Sequence, residues 1–190
     1  GGPWFTTWVS DENADAIRVD HHRPGDPGYG KPPEEFWSAS SIGQVYALLG
    51  VEPTDEARLV AAADHCLESA YRGLCPGIDP EVLMVYRAQS RATFQRRPVA
   101  DVLADIASAR TVLRAAVATR EEEVDDDRDG REGSRYIVKW TPELADLRGK
   151  VVPELPEAAC REGIPYLATV TDKDARRKVT LGAASPDIIR

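Results

Sequence analysis

Hydrophobic and polar positions fall into two rhythms along the chain, separated by a charged stretch. In the first part they recur at helical spacing. Ile42, Val45, Tyr46 and Leu49 mark one helix, capped by Ser38, Ser40 or Ser41 and ended by Gly50. Pro53 and Thr54 lead into EARLVAAADHCLESAYRG, where Leu59, Val60, Ala63, Cys66, Leu67 and Ala70 form one expected buried face. Asp79 followed by Pro80 predicts a helix over 80–95. A longer one runs from Pro98 to about Thr119, with Val99, Val102, Leu103, Ile106, Leu113 and Val117 on a common stripe. Ahead of these, IRVDHH at residues 17–22 reads as a strand running into three polar residues. RPGDPGYGKPP then forces a loop, because proline fixes φ and glycine permits φ > 0.

Residues 121–133, EEEVDDDRDGREG, are too charged for a core and read as a solvated linker, although a long loop within one domain would give the same pattern. Beyond it the rhythm changes. RYIVKW alternates as a strand does, LPEAACREG predicts a short helix closed by Gly163, and PYLATVTD with RKVTLGA predicts two strands across a turn near Lys173 to Ala175. The expected fold is therefore α/β: a parallel-sheet domain with flanking helices over 1–120, an acidic linker, and a small α+β module over 134–190.

Composition narrows the function classes. The 190 residues carry 24 Lys and Arg against 32 Asp and Glu, a net charge of −8, which opposes binding to duplex nucleic acid. Hydrophobic residues make up 42% and no apolar run approaches the roughly 18 residues of a membrane span, so no membrane role is expected. Cys66, Cys75 and Cys160 are odd in number and irregularly spaced, as expected of reduced thiols in a cytoplasmic protein. No signal peptide is visible. The chain opens on Gly-Gly rather than Met, the mark of processing, a tag remnant or a missing N-terminal segment.

The chemistry-bearing residues cluster. Asp20, His21 and His22 stand together where the ligand crevice of an open α/β sheet lies. Asp64 and His65 interrupt a segment otherwise patterned for burial, so that all three histidines sit beside an aspartate. Carboxylate with imidazole suits Mn²⁺, Fe or Zn²⁺. Each group also has an ordinary structural use: the tripeptide as a hydrogen-bonded cluster that orders its loop, Asp64 as the cap of a helix CLESAY with His65 facing solvent. His65, Cys66 and Cys75 make a poorer zinc set, lacking a fourth ligand and a Cys-x-x-Cys pair. Arg23 adjoins the tripeptide and is the first candidate for a phosphate contact; Lys31, Arg87, Arg91, Arg96 and Arg97 read as solvated surface charge. The two tryptophans of PWFTTW suit core packing or an interface anchor. No P-loop, nucleophile elbow or dinucleotide fingerprint occurs.

In order along the chain, the strand ending in Asp20-His21-His22, the Gly/Pro loop, the ASS segment at 39–41 and Asp64 after small apolar residues resemble the DHH phosphoesterase superfamily. The long helix at 98–119 and the small C-terminal module extend that resemblance, which covers most of the chain. It implies a pair of divalent ions, usually manganese, in a cleft between two domains, serving hydrolysis of phosphoester bonds in nucleotides, cyclic dinucleotides or oligonucleotides. Position by position it implies His21 and Asp64 as metal ligands, Asp20 and His22 as catalytic neighbours and Arg23 near the substrate. The family's N-terminal aspartate motifs and its C-terminal glycine-rich histidine motif have no counterpart here. A catalytically degenerate relative serving as a binding or assembly module through its aromatic N-terminal segment is the alternative expectation, and a homo-oligomer is compatible with either.

Overall fold

Local capping chemistry sets the helix ends. The computed structural model describes residues 17–118, 144–171 and 174–183, and the chain divides into two compact units, Gly1–Val102 and Leu103–Arg190. The expected linker at 121–133 and the expected strand RYIVKW lie outside the described residues. In the first unit a 3-10 turn at Pro33–Glu35 is followed by α1 (Phe36–Ala39), α2 (Ser41–Leu49), α3 (Asp55–Tyr71), α4 (Pro80–Gln95) and the start of α5 (Val99–Ala118). Of the three serines that could open α2, Ser40 does so, its Oγ accepting the Gly43 N–H at 3.1 Å. Thr54 Oγ1 accepts the Ala57 N–H at 3.1 Å to open α3, and Asp79 Oδ1 accepts the Glu81 N–H at 2.8 Å to open α4. Each cap satisfies a donor that the helix itself leaves without a partner. Gly50 ends α2 in the left-handed region, and Arg96, with φ 55°, ends α4 in the same way without being glycine.

Small residues make up most of the buried face of α3. On α3 the buried positions are Ala57, Ala61, Ala62, Ala70 and Tyr71, whereas Leu59, Val60, Ala63, Cys66 and Leu67 of the expected stripe are half-buried. Helices α1, α2 and α4 all contact α3, and alanine lets helix backbones approach where leucine would hold them apart. The expected stripe of α2 is displaced for a related reason. Gly43 is buried, with no room for a Cβ, which would lie 1.7 Å from the Trp37 carbonyl oxygen, while Val45 and Leu49 are exposed.

The strand expected at residues 17–19 is not formed: residues 17–20 have no regular secondary structure, and no strand occurs among the described residues of the first unit. A strand needs neighbouring backbone to take its N–H and C=O groups. Here the Asp20 carbonyl is taken by the Gly28 N–H and by Gln44 Nε2, each at 3.1 Å.

The second unit carries all the strands seen among the described residues, which gives the chain its mixed α/β character. After α5 come β1 (Ala145–Leu147), α6 (Leu155–Glu162), β2 (Tyr166–Thr171) and β3 (Arg177–Gly182), in the sheet order β1-β2-β3. β1 pairs parallel to β2 with Asp146 opposite Leu167; β2 pairs antiparallel to β3 with Thr169 opposite Val179. Such a small sheet needs a covering layer. Ala109 and Leu113 of α5 and Leu155, Ala158 and Ala159 of α6 supply it, packing with Ala145, Leu147, Tyr166 and Ala168. Glu162 near the end of α6 is paired with both Arg110 and Arg114 of α5. Among the described residues no helix is long and apolar enough to cross a membrane.

Candidate functional site

The site grows out of the main chain at Asp20. Its carbonyl bonds tie the Gly/Pro loop and α2 to this residue, and Gln44 Nε2 also donates to the Ala39 carbonyl at 2.7 Å. Gly28 fits this close approach because it lacks a side chain: a Cβ there would lie 1.9 Å from the Ala39 carbonyl oxygen and 2.8 Å from His21 Cβ. Buried Asp26 fixes the rest of the loop, accepting the Arg23 N–H at 2.7 Å and pairing with Arg18.

All three imidazoles meet at this point. The rings of His21 and His22 lie 4.1 Å apart and tilted, and those of His21 and His65 lie 5.2 Å apart edge to face. His21 is buried, with Nδ1 3.2 Å from Ser41 Oγ and Nε2 3.7 Å from Asp64 Oδ2. His22 is exposed. Its Nδ1 lies 2.6 Å from Asp20 Oδ1, and because a carboxylate only accepts, Nδ1 carries the proton and Nε2 is left for solvent. His65 Nε2 lies 3.1 Å from the Lys31 carbonyl. The carbonyl likewise requires the proton on Nε2, so a neutral His65 holds a lone pair on Nδ1, which is buried and has no partner among the described residues.

Electrostatics separate the roles. Asp20 is held below the usual carboxylate range by the His22 hydrogen bond, which outweighs the opposing effect of burial, with the main-chain N–H groups of His21 and His22 adding to it. His21 is held below the ordinary imidazole range chiefly by burial, helped by the charges of His22 and His65 and opposed by the Asp64 carboxylate. Near neutral pH this gives a carboxylate at position 20 and an uncharged imidazole at 21, both in the protonation state that a metal ligand needs.

The sequence-predicted residues therefore converge in part. Asp20, His21 and His22 present ligand atoms all within 4.8 Å of one another, and Asp64 comes to the same place through α3. Asp64 lies in α3 two residues before a kink at Cys66, where the helix breaks and resumes along the segment expected as the helix CLESAY, and His65 is half-buried rather than facing solvent. Arg23 is exposed on the adjoining loop. Lys31 is paired with Glu35 at 3.0 Å. The cysteine zinc set is not assembled: Cys66 and Cys75 face each other, burial pushes both thiols up, and among the described residues no cluster of three or more ligands includes a cysteine. Gln44 and the Lys31 carbonyl, which hold Asp20 and His65, were missed. A glutamine within the apolar run IGQVYALL was the available signal for the first; a main-chain carbonyl gives none.

The donor set suits a borderline divalent ion, since it offers neutral imidazole and carboxylate oxygen. His21 Nδ1 rests against the Ser41 hydroxyl, which leaves Nε2 facing the Asp64 carboxylate. A shallow open groove of about 560 Å³ lies elsewhere, in the second unit, lined by Asp146, Arg148, Gly149, Thr169, Arg177 and Val179. It contains none of these residues, and its one carboxylate, Asp146, is paired with Arg148 at 2.8 Å, whereas the histidine cluster brings several ligand atoms together. Comparison with protein-family models, with curated proteins and with solved structures finds no match to this chain.

Proposed function

We propose that this chain is a cytoplasmic, metal-dependent phosphoesterase of the DHH type, acting on a nucleotide or another small phosphoester. The observation that carries the reading is the 3.7 Å approach of His21 Nε2 to Asp64 Oδ2, two groups far apart along the chain. These two residues would hold the ion, with manganese the choice that the resemblance implies. Held there, a divalent ion would supply Lewis-acid chemistry, polarising the phosphoryl group and activating water.

The chain's own residues supply the rest. Ser41 orients the His21 ring, and burial keeps that ring neutral. Asp20 fixes His22 through Nδ1, so the exposed Nε2 is the atom that gives or takes a proton at the phosphoester. Arg23 offers a planar guanidinium to phosphate oxygens from the adjoining loop. The net charge of −8 favours a small substrate over duplex nucleic acid, and a homo-oligomer would let a second copy complete the ligand set.

One observation favours a second reading. Asp20 Oδ1 is already shared by His22 Nδ1 and the N–H groups of His21 and His22, so the tripeptide satisfies itself without an ion, as a degenerate binding or assembly module would. Metal titration with an activity assay separates the two. The first reading expects uptake of Mn²⁺ and phosphate release from nucleotide substrates, both abolished by His21→Ala in a variant that keeps its circular dichroism. Normal folding with neither uptake nor turnover refutes it.

A further inference from the structure

Cys66 and Cys75 are free thiols whose sulfurs lie 3.0 Å apart, and the proposed reaction gives neither a role. We propose that they form a site of reversible oxidation, closing to an intrachain disulfide with a small disulfide such as oxidised glutathione as the oxidant. This goes beyond the phosphoesterase reading and does not depend on it.

Three observations support the assignment. A disulfide needs its sulfurs about 2.05 Å apart, so closure asks for a shift of about 1 Å rather than a rearrangement of the fold. The backbone is already adapted at one end: Cys66, with φ −153° and ψ 52°, departs from helical geometry inside α3. At the other end Cys75 follows the helix terminus in a turn segment, Leu74 N–H bonding back to the Ser69 carbonyl at 3.0 Å, so the span between the sulfurs is half helix and half turn.

Exposure then sets the order of events. Burial pushes both thiols up, so the exchange is slow, and Cys75 is 2% exposed while Cys66 is half-buried and is the residue a reagent reaches first. Cys66 gives up its proton as its sulfur bonds to one sulfur of oxidised glutathione and releases the first glutathione thiol. Cys75 gives up its proton as it attacks the Cys66 sulfur and releases the second. One S–S bond forms in the protein and one is lost from the reagent; the two electrons and two protons leave on the two glutathione thiols. The new bond clamps α3 directly after Asp64 and His65.

The test uses the full chain, treated with oxidised glutathione under native conditions, alkylated and digested with trypsin. Cleavage after Arg58, Arg72 and Arg87 puts the two cysteines on different peptides, residues 59–72 and 73–87, so the disulfide joins them and is read directly by mass. The linked pair is expected in the native chain at about ten-fold or more the yield from the denatured chain, because the fold holds the sulfurs in register. Cys160→Ser should leave that yield unchanged and Cys66→Ser should remove it. Equal yields from native and denatured chains, glutathione retained on Cys66 without the linked pair, or full alkylation of both thiols after treatment would each overturn the proposal.

Discussion

Replacing Gly28 by alanine tests whether the loop and the candidate site are held by a contact too close for any side chain. The added Cβ would lie 1.9 Å from the Ala39 carbonyl oxygen, 2.8 Å from its carbon and 2.8 Å from His21 Cβ. Two of these three are backbone atoms, which cannot swing aside, so the loop itself must move. Overpacking of this kind costs about 1–3 kcal/mol. Movement also stretches the Gly28 N–H bond to the Asp20 carbonyl, 3.1 Å in the native loop, for about 1 kcal/mol more. The sum, about 2–4 kcal/mol, is a large share of a typical domain stability of about 5–15 kcal/mol. Gly30→Ala is the internal control. Gly30 has φ +69° with nothing within 4 Å of a built Cβ, so its substitution meets only backbone strain of about 1–2 kcal/mol. Urea unfolding of both variants, followed by far-ultraviolet circular dichroism, gives the comparison. A Gly28→Ala loss no greater than that of Gly30→Ala would refute the argument that the space, and not the backbone angle, demands glycine here.

Glu162 should control the acid limb of stability. Burial pushes its carboxyl upward, but the hydrogen bonds and charges of Arg114 and Arg110 outweigh this and leave it below the ordinary value of 4.5. Because the unfolded chain then binds the proton first, the pair's contribution is complete above about pH 4.5 and is lost as pH falls through the lower folded value. Glu162→Gln should cost about 1–2 kcal/mol at neutral pH, a range set low because Arg114 is largely exposed, and should flatten the urea midpoint against pH below that point. An unchanged acid limb would contradict the pairing. Arg96→Gly should instead stabilise by about 0.5–1 kcal/mol, since φ 55° at the end of α4 strains any residue with a Cβ; a lower thermal midpoint would argue against it.

Helix ends and the C-terminal hairpin were legible in the sequence because the information is local. Ser40, Thr54 and Asp79 each satisfy an N–H within three residues, and Gly50 and Gly163 each supply a left-handed angle at their own position. The alternation in PYLATVT and RKVTLG needs only its own two segments, which pair with each other. Ala145–Leu147 is too short for a periodic signal and became a strand because β2 offered its edge. Conversely, Ile17-Arg18-Val19 had the look of a strand, but the next carbonyl, that of Asp20, was claimed by Gly28 and Gln44. The alanine face of α3 likewise followed from how closely its neighbours approach.

The candidate site divides along the same line. Adjacency along the chain is enough to keep Asp20, His21 and His22 together. Only the tertiary structure brought Asp64 and His65 to them, buried His21, and chose the proton-bearing nitrogen of His65 through the Lys31 carbonyl. The physical reason is that caps and short-range pairs are settled within a few residues of chain, whereas a ligand pair and a shifted imidazole depend on which helices meet and how much water they exclude.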